Sequence, residues 1–436
     1  MVFDVLKARG VLLFGQCRAL LTAATTAASR ASPEILPSNV LVEEEGIPDY
    51  DPKRFYPVNP GDLFHGRYEM VAKVGWGRSS TVWVARDTAR HVWRWQSNRY
   101  VTVKVTVSDF VNQDAAKHEL SMARRLETNP SHGGYPFMAA RTCLVHEPMR
   151  EPLWLFQRRW EAGKLPPTLL KIYLKFLLRG LDYLHSEYLK PDNILMGFEG
   201  PSVLEDFVRE QAGHPMARKI TDNRTIYVSR NDFGRLKSFR ILPKIADFGL
   251  AECGDGCQPL RHPIQPPLFH APEVLLGTNW TYNADIWNLG VLIWNLMENR
   301  DLFRNVRSSQ GSYDSRAHMA EMIALLGPPP KALLDREKEW SEVKWSEVKW
   351  SDGISSPDGT LCQTPREYFK GPFFNSEGDF LYSQLIPNNI SLSDLILSLE
   401  GEDKLLFLDF VGHMLQWLPE RRKTAKELLE HPWLAS

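Results

Sequence analysis

The 436-residue chain lacks an excess of charge of either sign, because 52 lysines and arginines stand against 53 aspartates and glutamates and the formal net charge is −1. Such a balance excludes a polyelectrolyte field that would attract nucleic acid or an anionic membrane, so any recognition by charge must be local. No apolar run approaches the roughly 20 residues that a membrane-spanning helix requires. We therefore expect no direct nucleic-acid partner and no membrane partner.

Cysteine is scarce as well. The chain has five, at irregular spacing: Cys17, Cys143, Cys253, Cys257 and Cys362. So few cysteines do not form a disulfide framework, which fits a reducing compartment. Cys253 and Cys257 have no further Cys or His pair nearby, so we interpret them as loop cysteines rather than as metal ligands.

Residues 1–32 contain one acidic residue, four basic ones and many alanines, serines and threonines. This composition fits a mitochondrial presequence and a disordered tail, and both interpretations stay open, with the cytoplasm or nucleus expected for an untargeted chain. Residues 43–60 are acidic and contain prolines, which is typical of a linker. We therefore assign residues 1–45 to a tail and residues 46–63 to a linker.

The hydrophobic pattern predicts an α+β protein with two lobes. Residues 64–149 contain three strand-like runs, at residues 67–74, 80–85 and 100–107, and one amphipathic helix, which predicts a small mixed lobe. Residues 150–436 are mainly helical, with a second apolar helix predicted over residues 285–297. A leucine stripe at helical spacing marks the first long helix: Leu170, Leu174, Leu177, Leu181 and Leu184. Within this larger lobe, residues 200–242 are polar with clustered basic side chains, which predicts an insertion in the form of a solvated loop.

The sequence Trp-Ser-Glu-Val-Lys occurs twice in tandem from Trp340 to Lys349. A five-residue period rotates by about 140° per repeat on an α-helix, so the tryptophans would not share a face. We interpret the segment as a local loop duplication rather than as a repeat architecture.

A glycine-rich segment lies between two predicted strands, with Gly75 and Gly77 followed by Ser80 and Val82. In this context a hairpin can direct backbone N–H groups at the phosphates of a nucleotide. Because Ser80 replaces the third glycine of the usual pattern, the segment taken alone also fits a bare turn.

Lys104 lies inside the apolar run that follows this hairpin. An unpaired ammonium group is costly to bury, so the lysine needs an anionic partner. Glu119, on the helix that comes next, can supply a carboxylate, and the pair would hold the α- and β-phosphates of ATP.

Two further segments each offer an oxygen ligand for Mg²⁺, which takes few protein oxygens and relies on phosphates for the rest. Asn193 lies in Leu-Lys-Pro-Asp-Asn, and Asp247 begins Asp-Phe-Gly. Ala271-Pro-Glu273 and Arg422 follow farther along the chain. In this order and spacing the motifs resemble the signature set of protein kinases.

A finer resemblance is to the SR-protein kinases and their fungal relatives, and it covers roughly residues 50–436. It rests on Tyr56-Pro-Val-Asn-Pro-Gly-Asp, Gly66-Arg-Tyr, Ser80-Thr-Val-Trp and Ile264-Gln-Pro. The resemblance implies a bilobal kinase fold, a monomer, the cofactors ATP and Mg²⁺, and transfer of the γ-phosphoryl group to serine or threonine of Arg/Ser-rich proteins.

By matching positions, the resemblance also implies roles for individual residues. Glu147 to Met149 would form the hinge that meets adenine, and Lys190 would touch the γ-phosphate and act in catalysis with Asn193. The remaining ATP-binding positions implied are Val74, Gly75, Gly77, Ser80, Val82, Lys104 and Glu119, and the metal ligands are Asn193 and Asp247.

The sequence departs from the family where the catalytic base is expected. About six residues before Lys190 are absent, and Tyr188 stands in place of the aspartate. A tyrosine phenol, with an ordinary pKa of about 10, does not accept a proton at neutral pH as a carboxylate does. Two hypotheses follow: a serine/threonine kinase with an unusual base, and a pseudokinase or scaffold that binds ATP without turnover.

Two other features bear on these hypotheses. Residues 126–143 leave room for one strand but hardly for the usual pair, so the small lobe is expected to lack a strand. Residues 250–270 contain no serine, threonine or tyrosine. Activation by phosphorylation within that segment is therefore excluded.

Overall fold

The computed structural model describes residues 32–47, 50–90, 99–107, 121, 145–187, 193–221, 224–238, 241–246, 260–308, 310–348 and 352–435. Their strands are β1 Leu63–Phe64, β2 Tyr68–Gly77, β3 Ser80–Asp87, β4 Tyr100–Thr106, β5 Val145–His146, β6 Asn193–Met196, β7 Arg218–Thr221, β8 Arg224–Tyr227, β9 Pro243–Ala246, β10 Ile354–Ser355 and β11 Leu361–Cys362. Their α-helices are α1 Leu153–Phe156, α2 Pro167–Glu187, α3 Pro201–Gly213, α4 Pro272–Leu275, α5 Asn283–Glu298, α6 Ser315–Leu326, α7 Lys331–Trp340, α8 Pro365–Tyr368, α9 Leu392–Leu395, α10 Gly401–Gly412, α11 Ala425–Leu429 and α12 Pro432–Ala435. None of these helices combines the length and the apolar composition needed to cross a bilayer.

The described residues divide into two compact units. The first draws on residues 25–156 and 191–251, and the second on residues 157–190 and 252–436. The insertion, residues 200–242, therefore belongs to the unit that contains the first sheet, whereas the sequence places it in the larger lobe. The predicted boundaries at residues 45, 63 and 149 stay a prediction.

The first unit is built on a five-stranded antiparallel sheet in the order β1-β2-β3-β4-β5. The alternating runs that predict strands at residues 67–74, 80–85 and 100–107 correspond to β2, β3 and β4. Because successive side chains of a strand point to opposite faces, one set of them lines the buried face of the sheet. Trp83 and Val103 are cross-strand partners on this face and are 2% and 6% exposed. The predicted missing strand falls on residues 126–143, which lie outside the described residues.

The insertion is not the solvated loop that its polar composition predicts. It contains α3 and the hairpin of β7 and β8. Three apolar side chains of α3 join the core cluster of the sheet: Val203, Leu204 and Phe207. Their spacing places them on one face of a helix, and burying that face stabilises the insertion by about 1.5–3 kcal/mol per side chain.

We call residues 33–47 the N-terminal strap. The strap and residues 50–60, which fall in the predicted tail and linker, make defined contacts within the first unit. Backbone hydrogen bonds join the strap to β7, with Leu36 N donating to Arg218 O at 2.8 Å and Arg218 N donating to Glu34 O at 2.9 Å. Three of the apolar side chains are at most 5% exposed: Val42, Phe55 and Val58. The acidic residues stay close to the fold because they pair with buried lysines.

The second unit is helical, as the sequence predicts. The leucine stripe of α2 is buried, with exposures of 3% or less at all five positions. Helix α5 confirms the helix predicted over residues 285–297, and Trp287 and Trp294 are fully buried in it. Gly290 lets α5 approach the chain after α10, because an added Cβ would lie 3.0 Å from Leu415 Cδ2 and 3.1 Å from Met414 Cβ.

The duplicated Trp-Ser-Glu-Val-Lys segment places its tryptophans in different elements. Trp340 ends α7, and its ring centroid lies 4.3 Å from Cζ of Arg261. Trp345 begins a 3-10 turn and is 1% exposed. The two described copies therefore lie in different elements and do not form a repeat architecture, although Trp340 is in a helix rather than in the predicted loop. Trp350 lies outside the described residues.

Candidate active site

The glycine-rich segment forms the turn between β2 and β3, with Gly77 paired to Ser80. An added Cβ at Gly75 would lie 3.8 Å from Val82 Cβ, an ordinary van der Waals distance, and neither glycine has a positive φ. Packing therefore does not require glycine here. The missing side chains leave the hairpin backbone open to close approach by a ligand, which fits a phosphate-binding role.

The other end of the hairpin is fixed by an ion pair. Arg67 donates two hydrogen bonds to Asp87, each of 2.8 Å. These bonds hold the pKa of the Asp87 carboxyl below its usual value. The strands that flank the glycine turn are thus joined at the end away from it.

Lys104 lies in β4 and is the cross-strand partner of Val82 in β3. Directly opposed residues of antiparallel strands project from the same face, so this lysine and Val82 share a face of the sheet. Trp83 and its partner Lys73 project from the opposite face, because successive side chains alternate. Glu119, the predicted partner of Lys104, lies outside the described residues.

The predicted hinge follows β5, which pairs with β4 through Thr102↔His146 and Val103↔Val145. The register therefore places Glu147 directly beside the strand that carries Lys104. The Glu147 carboxylate accepts a hydrogen bond of 2.6 Å from Lys244 Nζ in β9. Met149 is half-buried and precedes a fully buried arginine, Arg150.

Of the two predicted metal ligands, the structure describes the backbone of Asn193. Asn193 begins β6 and is the cross-strand partner of Ala246 in β9. Asp247 is the next residue after Ala246 in the sequence. Asp247 itself and the side chain of Asn193 lie outside the described residues.

Several further predictions fall outside the described residues and stay predictions. They concern the catalytic positions Lys190 and Tyr188, the loop cysteines Cys253 and Cys257, and the targeting or disordered character of residues 1–31.

Glu273 of the Ala-Pro-Glu motif forms a buried ion pair with Arg422. Arg422 Nη1 and Nη2 each donate to one carboxylate oxygen at 2.6 Å, and both side chains are fully buried. The guanidinium also donates to the carbonyl oxygens of Asn283 and Gln416, at 2.9 and 3.1 Å. This pair fixes the start of α4 to the chain that precedes α11.

Two buried cations near the predicted nucleotide positions are not apparent from the motif set. Lys73 is 1% exposed, and Arg150 is 3% exposed. A lysine inside an alternating apolar strand is a signal that could have identified Lys73, since the same signal identifies Lys104. Arg150 has no comparable signal, because its acceptors Glu199, Phe233 O and Gly234 O are distant in the sequence.

Asp409, His413 and His431 bring three possible metal-ligand atoms within 4.8 Å of one another. His431 Nδ1 accepts a hydrogen bond from Trp433 N at 3.2 Å, so its proton is on Nε2, which donates to Asp409 Oδ2 at 3.0 Å. A histidine that binds a metal normally donates with its other ring nitrogen. The group is therefore a hydrogen-bonded cluster that fixes the C-terminal helices.

Comparison with known proteins agrees with this geometry. Residues 68–434 match the family profile described as protein kinase domain. A serine/threonine protein kinase of Aspergillus fumigatus is 34% identical over 418 residues, covering 92% of this chain and 92% of the relative. A Physarum polycephalum protein named serine/threonine-protein kinase SRPK is 26% identical over 431 residues, with 90% and 92% covered. A crystal structure of a kinase domain has the same fold, with a TM-score of 0.57, 20% identity, and coverage of 88% of this chain and 100% of that one.

Proposed function

Because this chain belongs to the protein kinase family, among the serine/threonine kinases similar to the SR-protein kinases, we propose that it transfers the γ-phosphoryl group of ATP to proteins rich in arginine and serine. The observation that carries the proposal is that Val82 and Lys104 are cross-strand partners in β3 and β4, and that β4 also pairs with β5. It brings together the glycine hairpin, an apolar side chain, a cation and the hinge segment within one unit.

Each of these groups has a distinct task in binding a nucleotide. The backbone N–H groups of the glycine hairpin would cover the phosphates, and the Lys104 ammonium would neutralise part of their charge. Val82 offers an apolar surface to the base, and the backbone of Glu147 to Met149 would hydrogen-bond its edge. The glycines, which packing does not require, fit this ligand.

Mg²⁺ fits the donor set predicted for Asn193 and Asp247, because an amide oxygen and a carboxylate are hard oxygen ligands. The bound ion supplies neutralisation of phosphate charge. The register of Asn193 with Ala246 supports this assignment. Lys190 would add a second cation for the γ-phosphate.

The second candidate function is ATP binding without turnover, and the observation that favours it is Tyr188. Its neutral phenol does not take the proton of a substrate hydroxyl as a carboxylate would. Glu187 and Asp192 are the acidic residues nearest to this position in the sequence. They are the candidate substitute bases, and loss of transfer with retained nucleotide binding in Glu187→Gln or Asp192→Asn would identify which of them acts.

The decisive experiment measures transfer of the γ-phosphoryl group to an Arg/Ser repeat peptide, with a Lys/Ser peptide of equal charge as the substrate control. Lys104→Met and Asp247→Ala are expected to abolish transfer. Arg86→Met serves as the matched control, because it removes a partly exposed cation of β3 paired with Glu69. Transfer that survives Asp247→Ala would contradict the kinase function, and nucleotide binding without transfer would favour the second candidate.

A further inference from the structure

The loop that leads to the Ala-Pro-Glu motif is described over residues 260–271, and hydrogen bonds hold this part in place. The Gln265 side chain accepts from Ala271 N at 2.8 Å and donates to Ala284 O at 3.1 Å. In protein kinases the segment between Asp-Phe-Gly and Ala-Pro-Glu is the activation loop, and phosphorylation commonly orders it. Because residues 250–270 contain no serine, threonine or tyrosine, this chain orders the loop by other means.

His270, the last residue before the motif, is bonded to the chain at the start of α6. It is 5% exposed, its Nδ1 lies 3.0 Å from Tyr313 Oη, and its ring packs edge-on against Phe369. Tyr313 Oη also lies 2.8 Å from Nδ1 of His318, a fully buried residue of α6. We call His270, Tyr313 and His318 the His-Tyr-His chain, and it connects the activation loop to α6.

The hydrogen bonds of the His-Tyr-His chain limit how many protons it can contain. Tyr313 retains its hydroxyl proton, because burial and the nearby Asp314 carboxylate raise its pKa well above the usual value. That one proton serves only one of the two Nδ1 atoms, so the other histidine must donate its own Nδ1 proton to the Tyr313 oxygen. If both Nδ1 atoms carry a proton, the hydroxyl proton has no acceptor within the chain. At most one of the two histidines can therefore be charged while the chain is intact.

Burial opposes even a single charge on these histidines. It lowers the pKa of His318 well below the usual value, and the neighbouring His270 lowers it further. The carbonyl oxygen of Pro267 acts in the opposite sense but makes no hydrogen bond of normal length with His318. Apolar rings surround the chain, with the Phe303 ring 4.5 Å from that of His318 and the Phe369 ring 5.2 Å from that of His270. A proton is taken up at lower cost when the contact of His270 opens to water.

The charged groups on the elements that pack against the His-Tyr-His chain have partners of their own. These groups belong to residues 270–273, 303–306, 313–321 and 367–370, and the pairs are Glu273 with Arg422, Arg304 with Asp301 O, Asp314 with Arg316, Glu321 with Asn305 N, Glu367 with Gln363 N and Lys370 with Asp358. Tyr368 stays neutral because burial raises its pKa. Among the residues that the structure describes, no carboxylate is bonded to His318.

We propose that His270 and His318 are positioning residues that make the order of the activation loop depend on pH. The intact His-Tyr-His chain holds residues 267–271 against α6. Because this closed arrangement disfavours the charged histidines, it is stable above about pH 6.5, the ordinary pKa of histidine, and is lost as the pH falls below that value. The inference rests on the proposed kinase function, in which the activation loop must be in place. It assigns to a proton the regulation that phosphorylation within residues 250–270 does not provide.

The first measurement is hydrogen exchange of the full chain between pH 5.5 and 7.5, expressed as protection factors so that the chemical exchange rate cancels. The amides of Phe269 and Ala271 report on the loop, because they donate to Pro266 O and to the Gln265 side chain. Their protection is expected to fall by up to about tenfold per pH unit below about pH 6.5, which is the limit for uptake of one proton. The amides of α5 serve as the internal control and are expected not to change.

Three variants separate the His-Tyr-His chain from other effects of pH. His270→Asn keeps a hydrogen-bonding group near the position of Nδ1 but does not titrate, so a much flatter pH dependence is expected. Tyr313→Phe removes only the bridging hydroxyl and is expected to show at pH 7.5 the low protection of the wild type at pH 5.5. The matched control is His262→Asn, which removes the other buried histidine of the loop, packed on Trp280, and should keep the wild-type dependence. If His270→Asn does not fold, Tyr313→Phe decides.

The second measurement is the Kd of a fluorescent Arg/Ser repeat peptide, followed by anisotropy over the same pH range. The arginine and serine side chains of the peptide do not titrate there. The Kd of the wild type is expected to rise by up to about tenfold between pH 6.5 and 5.5, and that of His270→Asn is expected to change much less.

The possible failures are distinguishable. Protection that does not change with pH in the wild type, or that changes equally in His270→Asn, would overturn this inference and leave the kinase assignment intact. A wild-type chain that binds no Arg/Ser peptide at pH 7.5 would overturn the proposed substrate instead, and hydrogen exchange would still decide whether the loop responds to pH.

Discussion

The ion pair between Arg422 and Glu273 offers the sharpest test of how the second unit is held together. The substitution Arg422→Met keeps much of the side-chain volume but removes the guanidinium. It leaves the Glu273 carboxylate fully buried without its cation, and it removes donors from the carbonyl oxygens of Asn283 and Gln416.

The magnitude follows from this burial. Removing one partner of a buried pair costs about 3–5 kcal/mol, because the remaining charge has neither water nor a counter-ion. Against a total free energy of unfolding of about 5–15 kcal/mol, this is a large fraction. The double variant Arg422→Met with Glu273→Leu is expected to be more stable than Arg422→Met alone, since it buries no unpaired charge.

The assay is urea unfolding followed by tryptophan fluorescence and circular dichroism. Arg336→Met is the matched control, because Arg336 pairs with Glu420 and the two side chains are 41% and 49% exposed. This surface pair is expected to contribute about 0–1 kcal/mol. A loss of stability in Arg422→Met no larger than that in Arg336→Met would refute the reasoning. So would a double variant whose loss equals the sum of the losses of Arg422→Met and Glu273→Leu measured singly.

Three further predictions concern other parts of the chain. Burial lowers the pKa of His318 well below its usual value, so the unfolded chain takes up a proton that the folded chain does not. Stability is therefore expected to fall by about 1.4 kcal/mol per unit as the pH drops below about 6.5, and urea midpoints of His318→Gln should show a flatter dependence. Gly290→Val is expected to lower the free energy of unfolding by about 1–3 kcal/mol through its contact with Leu415, whereas Gly412→Ala, which meets no atom within 4 Å, should not. A reporter fused to residues 1–32 is expected to enter mitochondria if they form a presequence, and a diffuse cytosolic signal would exclude that interpretation.

The long helices of the second unit and the central strands of the first unit could be predicted from the sequence. The stripe of α2 and the extent of α5 follow from the 3.6-residue period of their apolar side chains, and the structure buries these positions. The strands β2 to β4 follow in the same way from alternation. Such patterns are local, because a helix or strand must bury one face wherever it later packs.

The insertion shows where this approach fails. Its composition is polar and basic, and that average conceals the three apolar residues by which α3 packs on the sheet. The acidic residues of the N-terminal strap were misleading for the same reason, since charge predicts solvent exposure only when no buried counter-charge is available. Composition averages over faces, whereas packing depends on single positions.

The sequence by itself determined the ordered kinase motifs and the two-lobed pattern, since both depend on residues close together along the chain. Only the tertiary structure decided how the segments proposed to meet the nucleotide are supported. Lys73 donates to Glu44, which is 29 residues away in the sequence, and to the carbonyl oxygen of Tyr227, which is 154 residues away. Arg150 donates to Glu199, which is 49 residues away. A buried charge is tolerated only beside its partners, and a linear pattern does not reveal which distant segments the fold will bring to it.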